Sequence, residues 1–165
     1  MKFLYSLFFA AAAVICGAGF TASAATAGDR PATVSDLPRE ARNFLTAHYA
    51  SNDVAWSTVD RELFDTTYEV ALEDGTRIEF SRNGNWTDIK APKGGAIPSS
   101  VIPAKIAAYV RDNYPKARIR QIETDGHKRQ ILLDNGVEIL FDRHYDLIFT
   151  TDYSKHQPDH RFTLR

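Results

Sequence analysis

The side chains best suited to chemistry in this sequence are three histidines near its carboxy terminus, His144, His156 and His160, with Asp159 beside the last two. His156 and His160 stand at i and i+4, a spacing that on a helix turns both imidazoles one way and suits Zn²⁺ or Cu²⁺. Pro158 falls between them and works against a helix spanning both. The segment after Tyr153 is polar and aperiodic, so a solvated tail is the stronger expectation and a metal at His144, His156 and His160 the weaker one.

Acid–base or nucleophilic catalysis finds less support. No G-x-S-x-G or H-E-x-x-H spacing is present. Acidic pairs such as Glu73-Asp74 sit at turn tips, where carboxylates ordinarily form turns and stay solvated. Asn85-Trp86-Thr87 matches a glycosylation sequon, but Gly84 and Asn85 already have a turn-forming reason to be there. The reading is a protein that is no enzyme and uses no cofactor.

The chain begins with Lys2, an apolar run from Phe3 to Phe20 and Ala22-Ser23-Ala24, which reads as a signal peptide over residues 1–24 and an exported, periplasmic or secreted, product. Cys16 is the single cysteine and lies inside that signal, so the mature protein is expected to have neither disulfide nor thiol chemistry. Without Lys2 the balance is 19 Lys+Arg against 21 Asp+Glu, a net charge of −2. No basic excess is available to neutralise phosphates, which argues against a nucleic-acid partner. No membrane association is expected once the signal is removed.

Two stretches, Tyr68 to Phe80 and Arg129 to Phe141, alternate apolar residues toward an Asp-Gly or Asn-Gly pair and away from it, a strong hairpin signal. They align at an offset of 61 residues. Val70, Leu72, Ile78 and Phe80 share one face, with Ile131, Leu133, Ile139 and Phe141 as their counterparts. Upstream, Leu37, Ala41, Phe44, Leu45 and Tyr49 form one helical stripe, with Pro38 in the first turn and Ser35 or Asp36 as cap. Ile102, Ile106, Tyr109, Val110 and Tyr114 repeat the stripe 65 residues later, with Pro103 and with Ser99 or Ser100 as cap. Residues 54–59 and 119–124 follow as first strands with candidate bulges, and short fourth strands lie around Trp86 to Ile89 and Leu147 to Phe149.

The expected fold is α+β: two tandem repeats of a helix and a four-stranded antiparallel sheet, joined into one long sheet with the helices on one face. The domain reading is signal 1–24, flexible leader 25–35, repeat 36–92, linker 93–101, repeat 102–152 and polar tail 153–165. Among the aromatics, Trp56, Tyr68 and Trp86 are expected in the core more than on a recognition surface.

Leu37-Pro38, Ile102-Pro103, Tyr114-Pro115 with Ala117 and Ile119, Val70 to Gly75, Glu79-Phe80 and Gly84-Asn85-Trp86 together resemble the PepSY-like family, described as similar to the beta-lactamase inhibitor protein. The resemblance implies an exported bacterial protein of two repeats without assigned activity, and binding through an open sheet face rather than catalysis. Tyr145 stands where the first copy has Gly84, and His48-Tyr49-Ala50 lacks the proline of Tyr114-Pro115. The inhibitor's disulfides and contact loops find no match, so its target is not implied.

The face opposite the helices is the candidate for a protein partner in the cell envelope. It should show Glu69, Ala71, Arg77 and Glu79 from the first copy and Gln130, Leu132, Glu138 and Leu140 from the second. Leu132 and Leu140 are unusual on a solvated face, so either a partner or the tail should cover them. The function expected is a non-catalytic binding module, an inhibitor or scaffold. The alternative is a metal- or small-ligand-binding protein that uses the carboxy-terminal histidines.

Overall fold

The computed structural model describes residues 29–49, 53–61 and 65–153. The signal read at residues 1–24 lies outside them, as do His156 and His160. Two helices, α1 (Arg39–Tyr49) and α2 (Ala104–Asn113), accompany nine strands. These are β1 (Asp29–Ala32), β2 (Val54–Arg61), β3 (Thr66–Leu72), β4 (Arg77–Ser81), β5 (Trp86–Lys90), β6 (Ile119–Thr124), β7 (Lys128–Leu133), β8 (Val137–Asp142) and β9 (Leu147–Asp152). All nine join in one antiparallel sheet in strict chain order, β1 to β9. The order helix, then four strands, occurs twice, and the joint between β5 and β6 makes one sheet of the two sets.

The hydrophobic period explains which face is buried. One row of residues crosses the whole sheet at a single register: Ala32, Ser57, Val70, Ile78, Ile89, Ile122, Ile131, Ile139 and Thr150. Its five isoleucines are fully buried, each contributing about 1.5–3 kcal/mol of transfer free energy. Ser57 fits in that row because its hydroxyl donates to the Ala32 carbonyl at 2.7 Å. The helices cover this face through Ala41, Leu45 and Tyr49 of α1 and Ile106 and Val110 of α2. Phe44 meets Phe80 edge-on at 5.8 Å, and Tyr109 meets Phe141 in the same way at 5.4 Å.

Four turns share one construction, in which three residues of a tight turn are followed by one in the left-handed region. Gly75, Gly84, Tyr145 and Gly136 hold that last place, at φ between 63° and 90°. Each donates its N–H back three residues, to Leu72, Ser81, Asp142 and Leu133 respectively. The Asp-Gly and Asn-Gly pairs therefore form a turn with a bulge rather than a two-residue turn. The candidate bulges at the starts of β2 and β6 are present, between Val54 and Trp56 and between Ile119 and Gln121.

Several expectations need correcting. The segment read as a flexible leader contains β1, which pairs with β2 over four residues and adds a ninth strand. Ser35 and Asp36 do not cap α1; Asp36 closes a capping box with Thr33 around a 3-10 turn, Val34–Asp36. Neither Ser99 nor Ser100 caps α2, whose N-cap is Pro103, and Ser100 instead meets His48 Nδ1 at 3.0 Å. The residues read as a linker, 93–101, bury Ile97 and Val101 in the common core. Trp56 is 40% exposed on the face away from the helices, whereas Tyr68 is buried and Trp86 packs against the core edge.

Candidate functional site

The face opposite the helices carries its own rows, set by the same registers. The first runs Thr58, Glu69, Glu79, Asp88, Glu123, Gln130, Leu140, Phe149 from β2 to β9. The second runs Trp56, Ala71, Arg77, Lys90, Gln121, Leu132, Glu138, Thr151. Neighbouring strands lie about 4.8 Å apart, so members of a row can touch. The face thus divides into an acidic centre on β3 to β6 and an apolar end on β7 to β9.

Four carboxylates stand side by side at the centre, an arrangement of like charges that costs stability. The physical answer is partial neutralisation. Burial, then the carboxylates of Asp88, Glu69 and Glu123, push Glu79 up to about 7. Burial also raises Asp88, against the amide of Gln121, which donates to its Oδ1 at 2.9 Å. Glu123 rises for the same first reason, followed by Asp88, Asp125 and Glu138. At neutral pH Glu79 is therefore near half-protonation and can donate or accept a hydrogen bond.

Cations edge the acids without cancelling them. Arg77 lies 3.5 Å from Glu69 and stacks over Trp56, 5.6 Å from the ring centroid. This exposed ion pair is worth little by itself, but the guanidinium bridges the indole and the margin of the acidic centre. At the other end, Leu132 and Leu140 are half-buried and diagonal to each other: Leu132 faces Glu138 and Leu140 faces Gln130. Phe149 of β9 lies directly beside Leu140 and is 45% exposed.

All eight residues expected on this face are on it: Glu69, Ala71, Arg77, Glu79, Gln130, Leu132, Glu138 and Leu140. They fall into two groups, however, with Glu69, Ala71, Arg77 and Glu79 in or beside the acidic centre and the other four toward the apolar end. Asp88, Glu123, Trp56 and Phe149 complete it and were missed, because bulges shift the faces of the strands that carry them.

The histidine reading gains nothing. His144 sits in the turn before β9, with Nε2 3.0 Å from Arg143 Nε. Among the described residues, no group of three or more histidine, cysteine, aspartate or glutamate side chains is placed to hold a metal ion. A shallow cleft of about 220 Å³ beyond the end of α2 is lined by Tyr114, Pro115, Lys116, Ala117 and Asn135, which include no acid–base pair. Among the described residues, no helix is long and apolar enough to cross a membrane.

Comparison with known proteins agrees with this architecture. Residues 66–149 match the model of a family described as beta-lactamase-inhibitor-like, PepSY-like. Among solved structures, a provisionally assigned periplasmic protein of the DUF2874 family from Bacteroides vulgatus is 36% identical, with a TM-score of 0.71, over 74% of this chain and 96% of that one. A protein from Bacteroides thetaiotaomicron, provisionally described as calcium-regulated and periplasmic, is 32% identical with a TM-score of 0.71, over 74% and 96%. A second Bacteroides vulgatus protein, assigned to the periplasm with unknown function, is 31% identical with a TM-score of 0.71, over 76% and 100%. No curated protein matches. The present protein is periplasmic, like these relatives. A sheet of this topology under two helices, with matching sequence from β3 into β9, places the chain in the PepSY-like, beta-lactamase-inhibitor-like family.

Proposed function

We propose that this protein is a non-catalytic binding module, built by duplication of a helix-plus-four-strand unit, that holds a protein partner of the cell envelope on the open face of its sheet. The observation that carries the reading is that face itself: a crowded acidic row continues into Leu140 and Phe149, with Leu132 in the row beside it, and none of the described helices lies over it. Raised carboxylates cluster at functional sites and exposed groups of apolar side chains mark interaction surfaces, and this face carries both. The inhibitor-like character of the family supports binding over catalysis.

The calcium regulation attributed to the Bacteroides thetaiotaomicron relative is not carried over, since the four acids form a line across strands rather than a cage.

Leu132→Glu and Leu140→Glu each test the proposal. Both side chains point away from the core, so circular dichroism and the unfolding midpoint should stay close to wild type. Capture of the partner from envelope extract by the immobilised protein should be lost. Undiminished capture by both variants would overturn it.

A further inference from the structure

The two edges of the sheet are built differently. β1 is four residues long and presents exposed Arg30 and Pro31, a charge and a residue without N–H, both of which discourage pairing with another chain. β9 runs Leu147-Ile148-Phe149-Thr150-Thr151-Asp152, without proline and with its one charge at the last residue. Leu147, Ile148 and Phe149 are 46%, 47% and 45% exposed along that edge.

The chain also contains an internal comparison. β5, the counterpart of β9, has its outer edge taken by β6 through three pairs, and Ile89 is buried against Ile122 there. The corresponding residue of β9 is Thr150, which is exposed and has a strand on only one side. The same kind of strand is thus closed in one half of the molecule and open in the other.

We propose that β9 pairs antiparallel with β9 of a second copy of this chain, about a two-fold axis perpendicular to the sheet. A second copy is the occupant because the edge is complementary to itself. A register centred on Phe149 sets Phe149 against its own symmetry mate and Ile148 of one protomer beside Thr150 of its partner, with no charged residue in the central five. Among the described strands one edge is unguarded, which makes the contact isologous and closes it at a dimer, where two such edges would give a fibre. The helices of both protomers lie on one side and the open faces continue on the other. Pairing over one short strand buries less than the roughly 1,200 Å² typical of a stable complex, so the dimer is weak and depends on concentration.

Sedimentation velocity on the exported chain, from low-micromolar to near-millimolar concentration, tests this. The wild type should pass from monomer to dimer. Phe149→Lys places two ammonium groups at the two-fold axis and should weaken dimerisation by about tenfold or more. Ile148→Lys should do the same one residue away, and provides a second reading should Phe149→Lys fold poorly. Leu132→Glu, two strands inward, should leave dimerisation unchanged, so that failure of this proposal and failure of open-face binding stay distinguishable. A monomer at every concentration overturns the proposal, as does a dimer indifferent to both lysines. So does dimerisation that appears only after removal of residues 154–165, which would make that segment the occupant of the edge.

Discussion

Glu79 concentrates the electrostatic tension of the molecule. Its carboxyl rises from 4.5 to about 7 because burial and three neighbouring carboxylates disfavour the charge. A folded-state value above the unfolded one means that the folded protein binds the extra proton, so stability falls as pH rises from about 4.5 through about 7. Glu79→Gln should therefore stabilise the protein at pH 8 by about 1 kcal/mol, a figure reduced for the solvent that reaches this face, and should do little at pH 4. Urea titrations at the two pH values measure both. Equal effects at both would show that Glu79 is not held under strain. This residue was legible from the sequence, as were Glu69, Arg77 and the two leucines, because period-two counting away from an Asp-Gly or Asn-Gly turn fixes the face. Asp88 and Glu123 were not, since a bulge opposite Phe80 and another after Ile119 interrupt the count.

Among the elements, the left-handed turn positions show how packing separates residues with the same backbone. A Cβ on Gly84 would lie 2.8 Å from the Ala41 nitrogen and 2.9 Å from Pro38 Cβ, so this turn is pressed against the start of α1. Gly94 has nearly the same φ, and a Cβ added there would meet nothing within 4 Å. Gly94→Ala should cost about 1–2 kcal/mol for the conformation alone, and Gly84→Ala distinctly more, because helix and turn must also separate. Chemical denaturation of the pair reads the difference, and equal costs would refute the close fit. Tyr145 holds the matching turn in the second half at φ 63°, partly buried against the core, with Arg129 stacked 5.0 Å from its ring centroid. Both helices and the hairpins were legible from their periods of 3.6 and 2. β1 was not, for it has no apolar alternation and exists because β2 offers it a row of backbone partners.

At the scale of the whole molecule, the β5–β6 joint decides whether there is one folding unit or two. It holds only three residue pairs, but the central one joins Ile89 to Ile122 in the buried row that crosses every strand. Ile89→Ala should cost about 2–5 kcal/mol. Unfolding should remain a single transition in which tryptophan fluorescence, reporting Trp56 and Trp86 in the first half, coincides with far-ultraviolet circular dichroism from the whole. Separated midpoints would mean that the halves melt independently. The sequence indicated that the halves should join, because joining removes two exposed edges; the joint's register depended on the β6 bulge and could not be counted from either hairpin.

Strand order carries one more consequence, for the sequence in which the sheet can form. Every strand after the first pairs with its immediate predecessor, so each can add to a sheet already formed as it emerges, without waiting for distant segments. At any moment only one growing edge is unpaired, and aggregation risk moves along the chain with it. Growth among the described strands stops at β9, so the last edge to form is the one that the rest of the sheet never covers.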